Sequence, residues 1–213
     1  MKRNIKAGLS VALALLVLSS VLSCKKEEPG ASSEGRSDQA LNSYSENSVF
    51  MQVKDKLKQN PGDADEWYHL ADLYDRSGQY PDAIEAYKKV VQLKPRMGYA
   101  YFKMGTAYDR MNRPADAVAS LEKSIKYLPT NVVAYNNLGI AYGKLGKVKD
   151  EIRVLKKALK LRSSYSAARY NLGVAYLKAG DRNAAQRQYD SLKDTDSGMA
   201  EALLKAIKEG VKS

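Results

Sequence analysis

The chain has 213 residues, room for one domain or one short solenoid with accessory ends, and a tight fit for two domains. Apolar residues make up 44% and charged residues 28%, a globular balance unlike that of disordered chains, and the formal net charge is +11. One Cys and one His exclude a disulfide framework, a Cys/His zinc site and a His-based triad within a single chain, and with them much enzyme chemistry.

Lys2, Arg3 and Lys6 open the chain, an apolar run follows from Ala7 to Leu22, and a polar stretch begins at Lys25. That order predicts an export signal over 1–23, because the run is shorter than the roughly 20 apolar residues a spanning helix needs. Val21-Leu22-Ser23-Cys24 resembles a bacterial lipobox, the motif at which a signal is cut before a Cys whose thiol receives a diacylglycerol. The resemblance implies lipidation of Cys24 and anchoring by acyl chains, each buried methylene of which adds about 0.8 kcal/mol. The alternative is a free thiol behind an ordinary signal. Lys25 after the Cys implies, by the sorting rule of enteric-type lipoproteins, an outer-membrane location facing the periplasm. Residues 24–44 have almost no apolar content and no periodicity, and they read as a disordered tether.

Val49, Val53 and Leu57 precede Pro61 at helical spacing, which predicts a half-repeat helix over 45–63 and a folded body beginning near Ser45. Beyond it the chain repeats. Tyr74, Tyr108, Tyr142 and Tyr176 are spaced by 34 residues, and so are Pro61, Pro95 and Pro129. On that spacing Leu70, Met104, Leu138 and Leu172 share a column, followed by the small residues Ala71, Gly105, Gly139 and Gly173. A fixed period of this length is the signature of a repeat architecture.

The columns resemble the tetratricopeptide repeat, W-x2-L-G-x2-Y followed by Ala, an aromatic or Leu, and Pro. Repeat one shows the pattern as Trp67, Leu70, Ala71, Tyr74, Gly78, Ala83, Tyr87 and Pro95. The resemblance implies an all-α, right-handed α-solenoid of four helix-turn-helix repeats at 64–97, 98–131, 132–165 and 166–197. The small column would let helix B approach helix A, and Gly78, Asn112, Gly146 and Gly180 would turn the chain between them. Met199, Leu203, Ile207 and Val211 recur every four residues and predict a capping helix and tail over 198–213. Two residues depart from the pattern. Ser163 replaces the closing Pro, and Glu151 stands where other repeats carry Ala83, Ala117 and Ala185. The expectation for Glu151 is that it reaches solvent past the thin wall at Gly139, with a structural pairing or a partner contact as the alternatives.

In tetratricopeptide proteins helix A of each repeat lines the concave groove. Carried over residue by residue, the groove positions place Tyr68, Tyr99, Phe102 and Tyr170 as a ring-bearing wall, with Asn136 in the column of Phe102. Arg76, Arg110, Lys144 and Lys178 form a cationic ladder, one per repeat. The adjoining column runs Asp75, Asp109, Gly143, Leu177, so the C-terminal half of the groove is expected to be the more positive and apolar half. The other reading of the ladder is helix-end charge favoured by the dipole. Tyr68 and Asp72 occupy places where carboxylate-clamp co-chaperones carry Lys and Asn, so that clamp is not expected. A second basic row, Lys149, Arg153, Lys156 and Lys160, lines helix B of repeat three, which holds eight basic and two acidic residues between 132 and 165. It reads as a solvated face, or as a contact for anionic lipid or an acidic partner.

The function these features imply is an exported, membrane-anchored adaptor that binds proteins or peptides in its groove during a cell-envelope assembly process. No enzyme activity, cofactor, metal, nucleic acid or small-molecule substrate is expected. The other classes are an accessory subunit of an envelope enzyme, with Glu151 and Asp150 as its carboxylates, and a self-assembling structural solenoid.

Overall fold

A computed structural model of the protein describes residues 34–210, with side chains from residue 47 onward. The expected signal, Cys24 and Val211 lie outside the described residues. The chain divides into two units, 1–41 and 42–213, and the repeats belong to the second. All regular structure among the described residues is helical. A leading helix α1 (Glu34–Gln59) is followed by four hairpins and a final helix. The hairpins pair α2 (Ala64–Arg76) with α3 (Tyr80–Leu93), α4 (Gly98–Arg110) with α5 (Pro114–Tyr127), α6 (Val132–Lys144) with α7 (Val148–Leu161) and α8 (Ser166–Lys178) with α9 (Arg182–Leu192). The final helix is α10 (Ser197–Glu209).

Local chemistry sets these bounds. Asp63, Asn131, Asp181 and Asp196 accept backbone N–H bonds at the starts of α2, α6, α9 and α10, and Pro lies in the first turn of α3 and α5. Each A helix ends the same way. Gly78, Asn112, Gly146 and Gly180 take φ of 73°, 53°, 69° and 80°. The next residue's N–H then reaches back to the carbonyl of Tyr74, Tyr108, Tyr142 or Tyr176 at 2.9–3.0 Å, which satisfies an orphan acceptor. Asn112 is the non-Gly member because a short amide side chain tolerates the left-handed region.

Packing follows from the small column. A Cβ on Gly105 would lie 2.6 Å from Leu121, and one on Gly139 2.7 Å from Leu155, so these glycines are where helix B closes on helix A. Repeat four differs, because Tyr189 stands in the place of Leu121 and Leu155. The tight contact on Gly173 comes instead from Leu203 of α10, which is fully buried with Leu192 and Ala200. The final helix thus closes the apolar end. Val53 and Leu57 of α1 cover Leu70 at the other end, beside a Phe50–Tyr74 ring contact at 5.1 Å.

Two features depart from the sequence reading. Helix α1 begins at Glu34 rather than near Ser45, so part of the segment read as tether is helical. Once packing pins the later turns, extending a helix costs only per-residue propensity, and residues 34–44 hold no Pro to stop it. Repeat three closes without Pro because Arg169 of α8 donates to the Ser163 carbonyl at 2.6 Å and holds the turn.

Candidate binding surfaces

Helix α4 meets α6, and α6 meets α8, whereas each B helix is flanked by A helices. The A helices are therefore the closer-set layer, and a solenoid bends toward that layer. The inner wall consists of α2, α4, α6 and α8.

Charges on this wall pair across repeats. Lys103 of α4 donates to Asp72 at 2.9 Å and to Asp75 at 3.1 Å, and Arg76 reaches Asp72 at 2.6 Å. Partial burial alone would raise the Asp72 carboxyl, but Lys103 and Arg76 outweigh it and hold that carboxyl below the usual range. Arg110 donates to the Tyr80 hydroxyl at 3.2 Å and lies over that ring. Lys144 pairs with Asp109 at 2.6 Å, and Lys178 with Glu151 at 3.1 Å. The expectation that the C-terminal half is the more positive is corrected at these two lysines, since each meets a carboxylate. An A-helix end faces the preceding repeat, so the acid that answers Lys144 is Asp109, not a residue in its own repeat.

Glu151 is corrected as well. It is 3% exposed and lies against Gly143, not past Gly139, and a Cβ on Gly143 would come within 2.7 Å of the carboxylate. The two pattern-breaking residues of repeat three therefore fit each other. Burial pushes the Glu151 carboxyl up, against the pull of Lys178. A hollow of about 250 Å³ lies between α6 and α8, with the Glu151 carboxylate that packs on Gly143 forming part of its lining. Ile140, Gly143, Lys144, Glu151, Tyr170 and Lys178 line it, together with Asn171 and Val174.

The ring wall is uneven. Tyr99 is 58% exposed, whereas Tyr68 and Phe102 are half-buried against the core and Tyr170 is half-buried at the C-terminal cluster. Tyr68 meets the buried Tyr87 ring edge-on at 5.5 Å. Asn136 is only 5% exposed and accepts from Asn171 at 2.9 Å, so it ties α6 to α8 and offers a partner little surface.

On the outer side Lys149, Arg153, Lys156 and Lys160 are all exposed along α7. Arg153 pairs with Asp150 at 2.8 Å, and Lys156 lies over the Tyr176 ring at 5.6 Å. A cleft of about 460 Å³ borders this row, lined by Ile125, Tyr135 and Val154 with Arg153, Lys156, Lys157 and Lys160. An analogous cleft of about 490 Å³ opens over Trp67, Leu70 and Tyr74 between α1 and α3. These outer clefts arise from the spacing of successive B helices over a floor of A-helix rings, a relation between repeats that the residue columns do not display. Among the described residues no group of three or more His, Cys, Asp or Glu could hold a metal ion, and no helix is long and apolar enough to cross a membrane.

Stacked helical hairpins with an inner wall of rings and paired charges define an α-solenoid interaction scaffold. Tetratricopeptide-repeat profiles match residues 64–97, 99–131, 120–153 and 167–197. The chain belongs to the tetratricopeptide-repeat family. Many solved structures share its fold, among them three tetratricopeptide or MamA chains. MamA from Desulfovibrio magneticus RS-1 is 20% identical with a TM-score of 0.68, over 77% of this chain and 93% of that one. YrrB, described as a tetratricopeptide protein with an unusual peptide-binding site, is 17% identical with a TM-score of 0.70, over 79% and 88%. The first tetratricopeptide domain of Spaghetti (RPAP3), bound to the HSP90 peptide SRMEEVD, is 20% identical with a TM-score of 0.53, over 55% and 93%. No curated protein matches the chain.

Proposed function

We propose that the protein is an exported, membrane-anchored adaptor that holds a partner peptide on its inner wall, in a cell-envelope assembly process and without catalysis of its own. The hollow beside Gly143 carries the reading, because it opens between the Glu151–Lys178 pair and the side chains of Tyr170, Ile140 and Val174. Aromatic and aliphatic anchors around such an opening are the usual energetic centre of a protein contact. One structural neighbour described with a peptide-binding site and another bound to a peptide support a peptide-binding role for the protein. The N-terminal segment with Cys24 supports export and anchoring.

The test is affinity capture after crosslinking from membranes, comparing the wild-type chain with a Tyr99→Ala, Tyr170→Ala variant. The expected result is loss of the captured partner by about tenfold or more while the chain stays folded at the assay temperature, the midpoint falling only by what truncating the half-buried Tyr170 costs. A partner captured equally by both chains moves the site off the inner wall. Cys24→Ala is expected to abolish metabolic labelling by palmitate and release the chain from the membrane fraction. Retention of the label would refute lipidation at that thiol.

A further inference from the structure

Cations on the two sides of the solenoid differ in what they face. The inner ones are answered by Asp72, Asp75, Asp109, Glu151 and the Tyr80 hydroxyl. On the outer side of α5 and α7, Lys149, Lys157 and Lys160 meet no carboxylate among the described residues, and Arg153 alone has one, Asp150. Of the other acids nearby, Asp116 pairs with Arg113 at 2.7 Å and Glu151 faces inward, while Glu122 accepts from the Tyr142 hydroxyl and pairs with none of these lysines. Lys123, Lys126 and Lys156 lie over the rings of Tyr101, Tyr127 and Tyr176 at 5.4, 5.8 and 5.6 Å, contacts that hold the ammonium groups in place without neutralising them.

We infer that the cleft between α5 and α7 is a docking surface for an acidic protein segment carrying interspersed apolar residues. Charge sets the sign of the occupant. Lys149, Arg153, Lys156, Lys157 and Lys160 recur turn by turn along about 16 Å of helix, at 1.5 Å per residue, the length of about three turns of an acidic helix. Shape sets its kind. Ile125, Val154 and Tyr135 form the floor, recessed below the cationic rim, and Val154 is only 1% exposed. A side chain can enter such a cleft, whereas a flat headgroup layer touches its rim alone. Ring-held lysines lose less side-chain freedom when a partner arrives, which favours binding on this face.

The experiment measures fluorescence anisotropy of a labelled peptide of about twelve residues with Leu at helical spacing (i, i+4, i+7) and Glu at most other positions, long enough for three helical turns, added to the full chain in detergent. Controls are the same peptide with Gln for Glu, poly-glutamate, a single-stranded oligonucleotide, and bicelles of phosphatidylcholine doped with phosphatidylglycerol as competitor. Saturable binding of the Glu/Leu peptide is expected. Substituting Lys149→Gln, Lys156→Gln, Lys157→Gln and Lys160→Gln together weakens it by about tenfold and flattens its salt dependence, whereas Arg110→Gln leaves it unchanged. All four substituted lysines are exposed, so the unfolding midpoint should hold. No binding, equal binding of the Gln peptide, or equal binding by the quadruple variant would overturn the inference. Binding as tight to poly-glutamate or the oligonucleotide would remove the role of the cleft, and bicelles alone engaging the row would assign it to a membrane.

Discussion

Arg76, Arg110, Lys144 and Lys178 run one per repeat along the inner wall, whereas Lys149, Arg153, Lys156 and Lys160 run along one outer helix. The fold uses the first row and leaves most of the second free. Each member of the first row ends an A helix, and three of the four look back at the preceding repeat, where Tyr80, Asp109 and Glu151 wait. The second row faces its own helix, the side chains of Tyr142 and Tyr176, the outer cleft and solvent, and among the described residues Asp150 is the single carboxylate that pairs with it. A row of like charges is available to a partner only after the fold's own pairings have been subtracted. By that measure the inner wall recognises mainly through rings and its hollow, and the outer cleft mainly through charge.

The sharpest way to break this comparison is at Lys178. Lys178→Met leaves Glu151 buried without a cation and should lower the unfolding free energy by about 2–4 kcal/mol, read by urea denaturation. Adding Glu151→Ala removes the unpaired carboxylate and should recover part of the loss, the remainder reflecting the space left beside Gly143. No loss, or a loss without recovery, would show that Lys178 is helix-end charge after all. The pH dependence carries the same information. Burial raises the folded Glu151 carboxyl, so its contribution is fully present below the unfolded carboxylate range and is lost as pH rises through the folded value. Relative to Glu151→Gln, the wild-type chain should therefore gain stability on acidification. Asp72, whose carboxyl is held low, contributes in the opposite sense, and Asp72→Asn should cost most at neutral pH and least below that range.

A smaller effect is expected at Lys144. Both it and Asp109 keep about a third of their side-chain surface in water, so Lys144→Met should cost no more than about 1 kcal/mol. The smallest effect belongs to the outer row. Neutralising Lys149, Lys157 and Lys160 should change stability by less than about 0.5 kcal/mol, and any gain should appear only at low salt, where relief of repulsion is unscreened. A loss of several times that size would mean these lysines are tied into the fold, and the contrast between the rows would fall.

Much of the architecture was legible in the residues. The column of Gly78, Asn112, Gly146 and Gly180 fell where the chain turns with positive φ, because that backbone conformation restricts residue choice locally. The inner and outer basic rows were legible as rows, yet their meaning was not. Lys103, which binds two aspartates of the preceding repeat, belonged to none of the columns read as groove positions. Glu151 stood out as a breach of the Ala column, but its fit to Gly143 was not visible, since the two lie on different helices and only their packing brings them together. Asn136 read as a groove residue and proved to be a buried tie to Asn171.

Sequence alone determined the period, the hairpin units, the turn chemistry and the small column, because each depends on residues a few positions apart or on a fixed repeat. Tertiary structure decided which charges remain free, where the inner wall opens, and that Leu203 rather than a B-helix residue closes on Gly173. Those outcomes depend on contacts between side chains 27–35 positions apart, whose approach is set by the rise and rotation of one repeat on the next. A one-dimensional pattern names the residues in each column but not the neighbour each will meet.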